Sequence, residues 1–165
     1  MVALKIDDLG AFTRHLFVGE TFDRFLLREA SVVTYNAFHI DGHIKMGYFS
    51  EEELEEKRIE DFSSWNMIRP ICFTLIKGKK LPGSFAITLQ MPPDGVERFL
   101  KGTGNQITTE QVNGLYINIR YENGELYCVT GSSLNFFTLD KTLEAEWDGA
   151  VKNFLKKNQI VFIES

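Results

Sequence analysis

Basic leaders and long apolar runs are missing from this 165-residue chain, and cysteine and proline are scarce, at two and four residues. The N-terminus, Met1-Val2-Ala3-Leu4-Lys5-Ile6-Asp7-Asp8, carries acids where a signal peptide holds its apolar stretch, and no small-residue cleavage site follows. No stretch approaches the roughly 18–20 apolar residues that cross a bilayer. The reading is a soluble, unexported, cytoplasmic protein with no membrane partner. Cys72 and Cys128 stand in the contexts Ile-Cys-Phe and Tyr-Cys-Val, with no second ligand at metal or redox spacing. Two scattered thiols suit a reducing compartment and are expected to be buried and free, a disulfide between them being the other arrangement. Neither cysteine has a histidine near it in sequence, and no Gly-x-Ser-x-Gly elbow occurs, so no hydrolytic nucleophile is expected. Positive charge is also short. The 18 Lys and Arg against 23 Asp and Glu leave a net charge of −5. That balance argues against general attraction to nucleic acid or anionic membranes while permitting a local basic face.

What is present is ordinary for a globular protein: 44% hydrophobic and 25% charged residues. A core of this size buries roughly 70% of the unfolded chain's surface, enough to fold without a metal or disulfide staple. No cofactor is expected. No Pro/Gly/Ser-rich tract divides the sequence, so residues 1–165 read as a single α+β domain.

Leu4 and Ile6 open a short strand, and Asp7 or Asp8 caps a helix over about 8–18 with Leu9, Phe12, Thr13 and Leu16 on one face. Residues 23–49 are rich in β-branched and aromatic types, and Asp41-Gly42 predicts a two-residue hairpin turn among them. Ser50 with Glu53 forms a capping box for an acidic helix over about 50–60, whose few apolar residues, Leu54 and Ile59, place it on the surface. Residues 71–76 read as a strand, joined through Gly78, Pro82 and Gly83 to another in which Phe85, Ile87, Leu89 and Met91 alternate with small or polar residues. Pro92-Pro93-Asp94 starts a short helix that buries Val96, Phe99 and Leu100. A turn at Asn123-Gly124 puts Ile117, Ile119, Tyr121, Leu126, Cys128 and Thr130 on one face of a hairpin. Residues 140–157 form an amphipathic helix with Leu143, Trp147, Val151, Phe154 and Leu155 on its stripe, Asp140 at its cap and Lys152, Lys156 and Lys157 in its last turns. Residues 160–163 add a closing strand. The expected class is α+β: antiparallel sheets with two short helices and a C-terminal amphipathic helix.

Listed in order, these elements are strand, helix, strands, then strand, helix, strands, then a closing helix. The first two helices share an echo, Arg14-His15-Leu16 and Arg98-Phe99-Leu100. This order resembles a DNA sliding-clamp domain, in which two such halves pack their helices side by side against sheets. The resemblance implies a helical face toward DNA and partner peptides docked outside; it is one of topology, and fold does not fix function. A second likeness rests on sequence. The segments Gly19-Glu20-Thr21-Phe22-Asp23, Phe25-Leu26-Leu27-Arg28-Glu29-Ala30, Pro70-Ile71-Cys72-Phe73, Leu75-Ile76-Lys77-Gly78-Lys79-Lys80-Leu81-Pro82 and Thr138-Leu139-Asp140-Lys141-Thr142-Leu143-Glu144 resemble an uncharacterised family of small bacterial proteins, a domain of unknown function. The likeness covers nearly the whole chain and implies a bacterial origin.

Few constellations carry chemistry. A hairpin turning at Asp41-Gly42 sends His39 and His43 to opposite faces, so His39, Asp41 and His43 do not make a tetrahedral metal site. Gly131-Ser132-Ser133 reads as a loop without an adjacent base. Gly102-Thr103-Gly104-Asn105 follows a helix rather than preceding one, and Gly78-Lys79-Lys80 lacks the rest of a phosphate loop. The run Glu51-Glu52-Glu53-Leu54-Glu55-Glu56 reads as a solvated helix face, its other role being to bind a cation or a basic partner. Arg14 and His15 on the first helix, with Arg98 and Lys101 on the second, lie off the apolar stripes; on neighbouring helices they form a small basic patch suited to phosphates. The leading expectation is a non-catalytic binding or scaffold protein that contacts DNA or a protein partner weakly. The alternative is an enzyme or small-ligand binder with a site assembled from dispersed residues such as Tyr35, His39, Tyr48 and Tyr116.

If the patch faces phosphates, duplex DNA binds weakly, without sequence preference and with steep salt dependence. An Arg98→Glu, Lys101→Glu variant is expected to lose that binding and keep its melting temperature. Absence of binding at low salt in an electrophoretic or fluorescence-anisotropy titration would reject the patch.

Overall fold

The structure, a computed structural model, describes residues 1–78, 80–104 and 106–165. From the N-terminus, β1 (Ala3–Ile6) runs through α1 (Leu9–Thr13) and a π-helical turn (Arg14–Val18) into the hairpin of β2 (Leu26–Val33) and β3 (Ala37–Asp41). A 3-10 turn (Met46–Tyr48), α2 (Glu51–Glu56) and α3 (Trp65–Ile76) lead to β4 (Ser84–Gln90) and α4 (Pro93–Thr103). A second 3-10 turn (Thr109–Gln111) precedes the long hairpin of β5 (Val112–Glu122) and β6 (Glu125–Leu134), then α5 (Thr142–Lys157) and β7 (Phe162–Glu164).

The seven strands form one antiparallel sheet in the order β3-β2-β4-β5-β6-β1-β7. Register lines up apolar side chains across it: Ile40 opposes Ala30, Ala30 opposes Ile87, Ile87 opposes Ile119, Ile119 opposes Cys128 and Cys128 opposes Leu4. Because alternate residues of a strand point to opposite faces, this row and its neighbours present one apolar face. Onto that face α1 and the π turn bring Phe12, Leu16 and Phe17, α3 brings Trp65 and Cys72, α4 brings Val96 and Leu100, and α5 brings Leu143, Trp147, Val151 and Leu155, all in a single core cluster. The opposite face is polar, with Ser31 bonded to His39 and Thr88 to Asn118.

Local signals explain much of this. Asp8 Oδ1 accepts the Ala11 N–H at the start of α1, and the Ser50–Glu53 capping box is formed at α2. Asn123 and Gly124 both have positive φ, 54° and 78°, the primed turn that matches the twist of β5 and β6. Pro93 occupies the first turn of α4, where its missing N–H leaves no bond unmade. Asp140 Oδ1 accepts from Thr142 N at the start of α5, although Lys141 holds the cap position.

Three expectations are overturned. Residues 71–76 belong to α3, not to a strand. Their β-branched and aromatic composition yields to burial at helical spacing: Trp65 and Cys72 are buried, Ile68, Leu75 and Ile76 pack against the core, and Pro70 is accommodated inside the helix. The first hairpin turns at Thr34-Tyr35-Asn36, where Thr34 N bonds Asn36 O, and not at Asp41-Gly42. Gly42 continues alongside β2 with its N–H on Arg28 O, and a Cβ there would stand 1.9 Å from Leu27 O. Glycine is present at that position for closeness, not for a turn. The sheet is also one continuous layer in place of plural sheets. The helices that the clamp order pairs have separate supports: the π turn packs on α3 through Phe17 and Trp65, and α4 packs on α5 through Phe99 and Trp147. Among the described residues, no helix is long and apolar enough to cross a membrane.

Trp147 is buried in α5, and its Nε1–H donates to Tyr116 O at 3.0 Å. Trp147→Ala is expected to cost roughly 3–5 kcal/mol, because lost transfer energy and an unfilled cavity add. Glu144, which pairs with the Met1 ammonium at the surface, contributes at most about 1 kcal/mol. Calorimetric melting of the Trp147→Ala and Glu144→Ala variants checks this, a drop of roughly 10 °C being expected for the first alone.

Candidate functional site

A continuous α-helix over residues 9–18 would give each turn the same register. Here the chain changes to π pitch after Thr13, closing with Gly19 N on Arg14 O at 2.7 Å. Such turns leave carbonyls without their usual partners and recur at functional sites. Two side chains of α3 satisfy them. Trp65 Nε1–H donates to Leu16 O at 2.8 Å, and Arg69 Nη1–H donates to Val18 O at 3.2 Å. Arg69 also holds Asp23 through two parallel bonds of 2.9 Å, with both side chains about 15% exposed, so the turn is locked to α3. That pair, Asp23 first, holds the guanidinium above its ordinary pKa.

Between the locked turn and the C-terminal end of α3 lies a cleft of about 420 Å³. Phe17, Phe73, Ile76 and Leu81 wall it, and Phe85 with Tyr121 forms its floor, the two rings stacked at 5.3 Å and 27°. Thr13 also lines it, but its hydroxyl is spent on the carbonyls of Leu9 and Gly10. Arg14 and Lys77 stand exposed at the mouth. Among the described residues neither cation has an ion pair, and none of the cleft's lining residues is acidic. An apolar volume of this size with a few convergent polar groups is the usual form of a small-molecule site.

The four basic positions chosen from sequence divide. Arg14 is at the cleft. His15 Nδ1 lies 2.7 Å from Thr21 Oγ1. Arg98 faces Asp94 at 3.9 Å and Lys101 faces Glu97 at 3.0 Å, each along α4. Near Arg98 stands Arg24, a residue missed at the sequence level because it lies in no helix. Its guanidinium sits over the rings of Phe25 and Phe154, and burial first, then Arg98, lowers its pKa.

The dispersed set does not converge. Tyr35 packs on Phe38, Tyr48 on Phe49, and His39 Nδ1 lies 3.0 Å from Ser31 Oγ, while Tyr116 lies under Arg28. His43 packs on Phe62 at 4.5 Å, and because the hairpin turns at residues 34–36 the argument that separated it from His39 does not apply. Asp41 instead binds Lys45 and the His43 N–H, which hold its carboxyl below the usual range. No group of three or more His, Cys, Asp or Glu among the described residues is arranged for a metal. Ser133 lies in β6 with its hydroxyl accepting from Asn113, not in a loop. Lys79 in Gly78-Lys79-Lys80 and Asn105 in Gly102-Thr103-Gly104-Asn105 lie outside the described residues.

The model of a family of unknown function (DUF5721) matches residues 15–163, and the chain belongs to that family. Nothing matches among curated proteins or among solved structures.

Both cysteines are free and buried. Burial pushes the Cys72 thiol from 9.0 up to about 11 and raises Cys128 as well. A raised thiol stays neutral in the folded protein while the unfolded thiol ionises above about pH 9, so its stabilising effect is complete below that pH and is lost as pH rises through about 11. At about pH 8 the native thiolate fraction of Cys72 is roughly 100-fold below the unfolded one. Iodoacetamide followed by mass spectrometry is expected to show slow native labelling and fast labelling in denaturant. Equal rates would mean that α3 is not docked.

Proposed function

We propose that this chain, acting as a single domain over residues 1–165, is a non-catalytic binding protein whose cleft takes a small amphipathic anion, an apolar body ending in a carboxylate. The observation that carries the reading is charge placement. In a chain of net charge −5, a cleft with largely apolar walls has two cations without an ion pair at its mouth and no acidic lining residue among those described. The apolar walls supply affinity and the cations supply orientation, a division common to small-molecule sites. Locking of the π turn by Trp65 and Arg69 supports a preformed site. The non-catalytic part rests on the two buried thiols, whose burial keeps them in the neutral form. A bacterial, cytoplasmic setting belongs to the same reading, supported by the two free cysteines.

A phosphate-contacting face on α4, in the manner of the clamp-like element order, is the second reading. Arg24 favours it, because the charge of Arg98 is felt at Arg24 and adds to the lowering that burial causes there. The DNA titration above tests it separately.

The cleft is tested by competition of octanoate and decanoate against the fluorescent probe anilinonaphthalene sulfonate. Each buried methylene is worth roughly 0.8 kcal/mol, so decanoate is expected to bind roughly 15-fold more tightly than octanoate. Reversing both mouth cations, Arg14→Glu with Lys77→Glu, is expected to weaken decanoate by about tenfold or more and to leave the melting temperature unchanged, since both side chains are exposed. Displacement without chain-length dependence, or undiminished binding by the double variant, would reject the proposal.

A further inference from the structure

A second cavity, of about 290 Å³, lies where the ends of β2, β4 and β5 meet the start of α4 and the segment 60–62. Its construction uses three local departures from regular structure. The β2–β4 register skips a residue between Leu27 and Glu29, so Arg28 sits in a bulge, a device that re-aims a side chain. Gly42, with no room for a Cβ against Leu27 O, closes on the back of that bulge. Gly114 has Tyr116 folded across it, the hydroxyl 2.2 Å from where a Cβ would be. The Tyr116 ring is thereby placed beneath Arg28, whose guanidinium lies 5.5 Å from it and 5.4 Å from the Phe62 ring. Two aromatic faces hold the cation in place. Among the described residues it has no ion pair and no hydrogen bond from its side chain.

Gln90 lines the same cavity from β4. It is only 7% exposed, and its amide is not among the buried side-chain atoms left without a partner. An amide that borders a cavity can both donate to and accept from a polar ligand. The cavity also carries Glu60 and Asp61, and neither forms an ion pair with Arg28 or with any other described cation. Opposite charges thus border one small cavity without an ion pair between them, an arrangement that a ligand carrying both charges fits.

We infer that this cavity binds a small zwitterion of the α-amino-acid class, its carboxylate on Arg28 and Gln90 and its ammonium toward Glu60 and Asp61. Met91 and Val96 offer apolar surface for a medium-sized side chain. This inference is independent of the cleft at the π turn.

Calorimetric titration of the 165-residue chain with L-leucine, leucinamide and N-acetylleucine tests it. L-leucine is expected to bind, and each blocked form is expected to bind about tenfold more weakly or worse, since each lacks one charged contact. Arg28→Met, which keeps a stem over the rings, is expected to weaken L-leucine similarly. Gln90→Leu is the second variant: it keeps the side-chain volume, removes the amide and is expected to weaken L-leucine several-fold. No binding of L-leucine at millimolar concentration, equal binding of the blocked forms, or a Gln90→Leu variant that binds as tightly would overturn the proposal.

Discussion

The row of side chains from Ile40 through Ala30, Ile87, Ile119 and Cys128 to Leu4 is the constraint on which the rest of the structure depends. A slip of one residue in any strand would turn that strand's apolar set to the polar face, so the row fixes the register of six of the sheet's strands, β3 through β1, together. Once the face exists it must be covered, and the helices supply the cover. Trp147 from α5 and Trp65 from α3 do so while also donating their indole N–H groups to backbone carbonyls, so neither leaves a buried donor unmet.

The second consequence of that face is a set of close approaches. Where the β2–β3 pair is overlapped by the segment 61–64, Ser63 N bonds Gly42 O and Leu27 N bonds Ser63 O. The backbones come near enough that only glycine fits at position 42. The bulge at Arg28 is the local adjustment that lets β2 stay paired to β4 while meeting this layer. Both cavities arise at such adjustments, one at the bulge and one at the π turn, where the ladder is least regular and side chains leave the core direction.

Charge follows a related logic. On α4 the cations meet acids one turn away on their own helix, and α2 holds its acids in a solvated surface turn. Arg14 and Lys77 have no such neighbours, and Arg28 shares its cavity with Glu60 and Asp61 without an ion pair to either. At the cleft by the π turn an acidic chain therefore presents unpaired positive groups, and a local field can oppose the net charge.

Local chemistry settled the elements whose signals are complete within a few residues: the Asn123-Gly124 turn, the capping box at Ser50, the proline start of α4 and the stripe of α5. Alternation along β4, β5 and β6 likewise determined their buried faces, because a period of two needs no knowledge of the partner strand. The mature geometry of the sites was not legible this way. Residues 71–76 have strand-like composition and become helical only because Trp65 and Cys72 find the core. Asp41-Gly42 looks like a turn because glycine serves turns and close contacts alike, and sequence cannot tell which. Arg28 and Gln90 lie 62 positions apart and meet in one cavity through the pairing of β2 with β4. Periodicity and capping are short-range and can be read from the chain; which distant side chains share a hollow depends on register, bulges and helix docking, and those exist only once the core has closed.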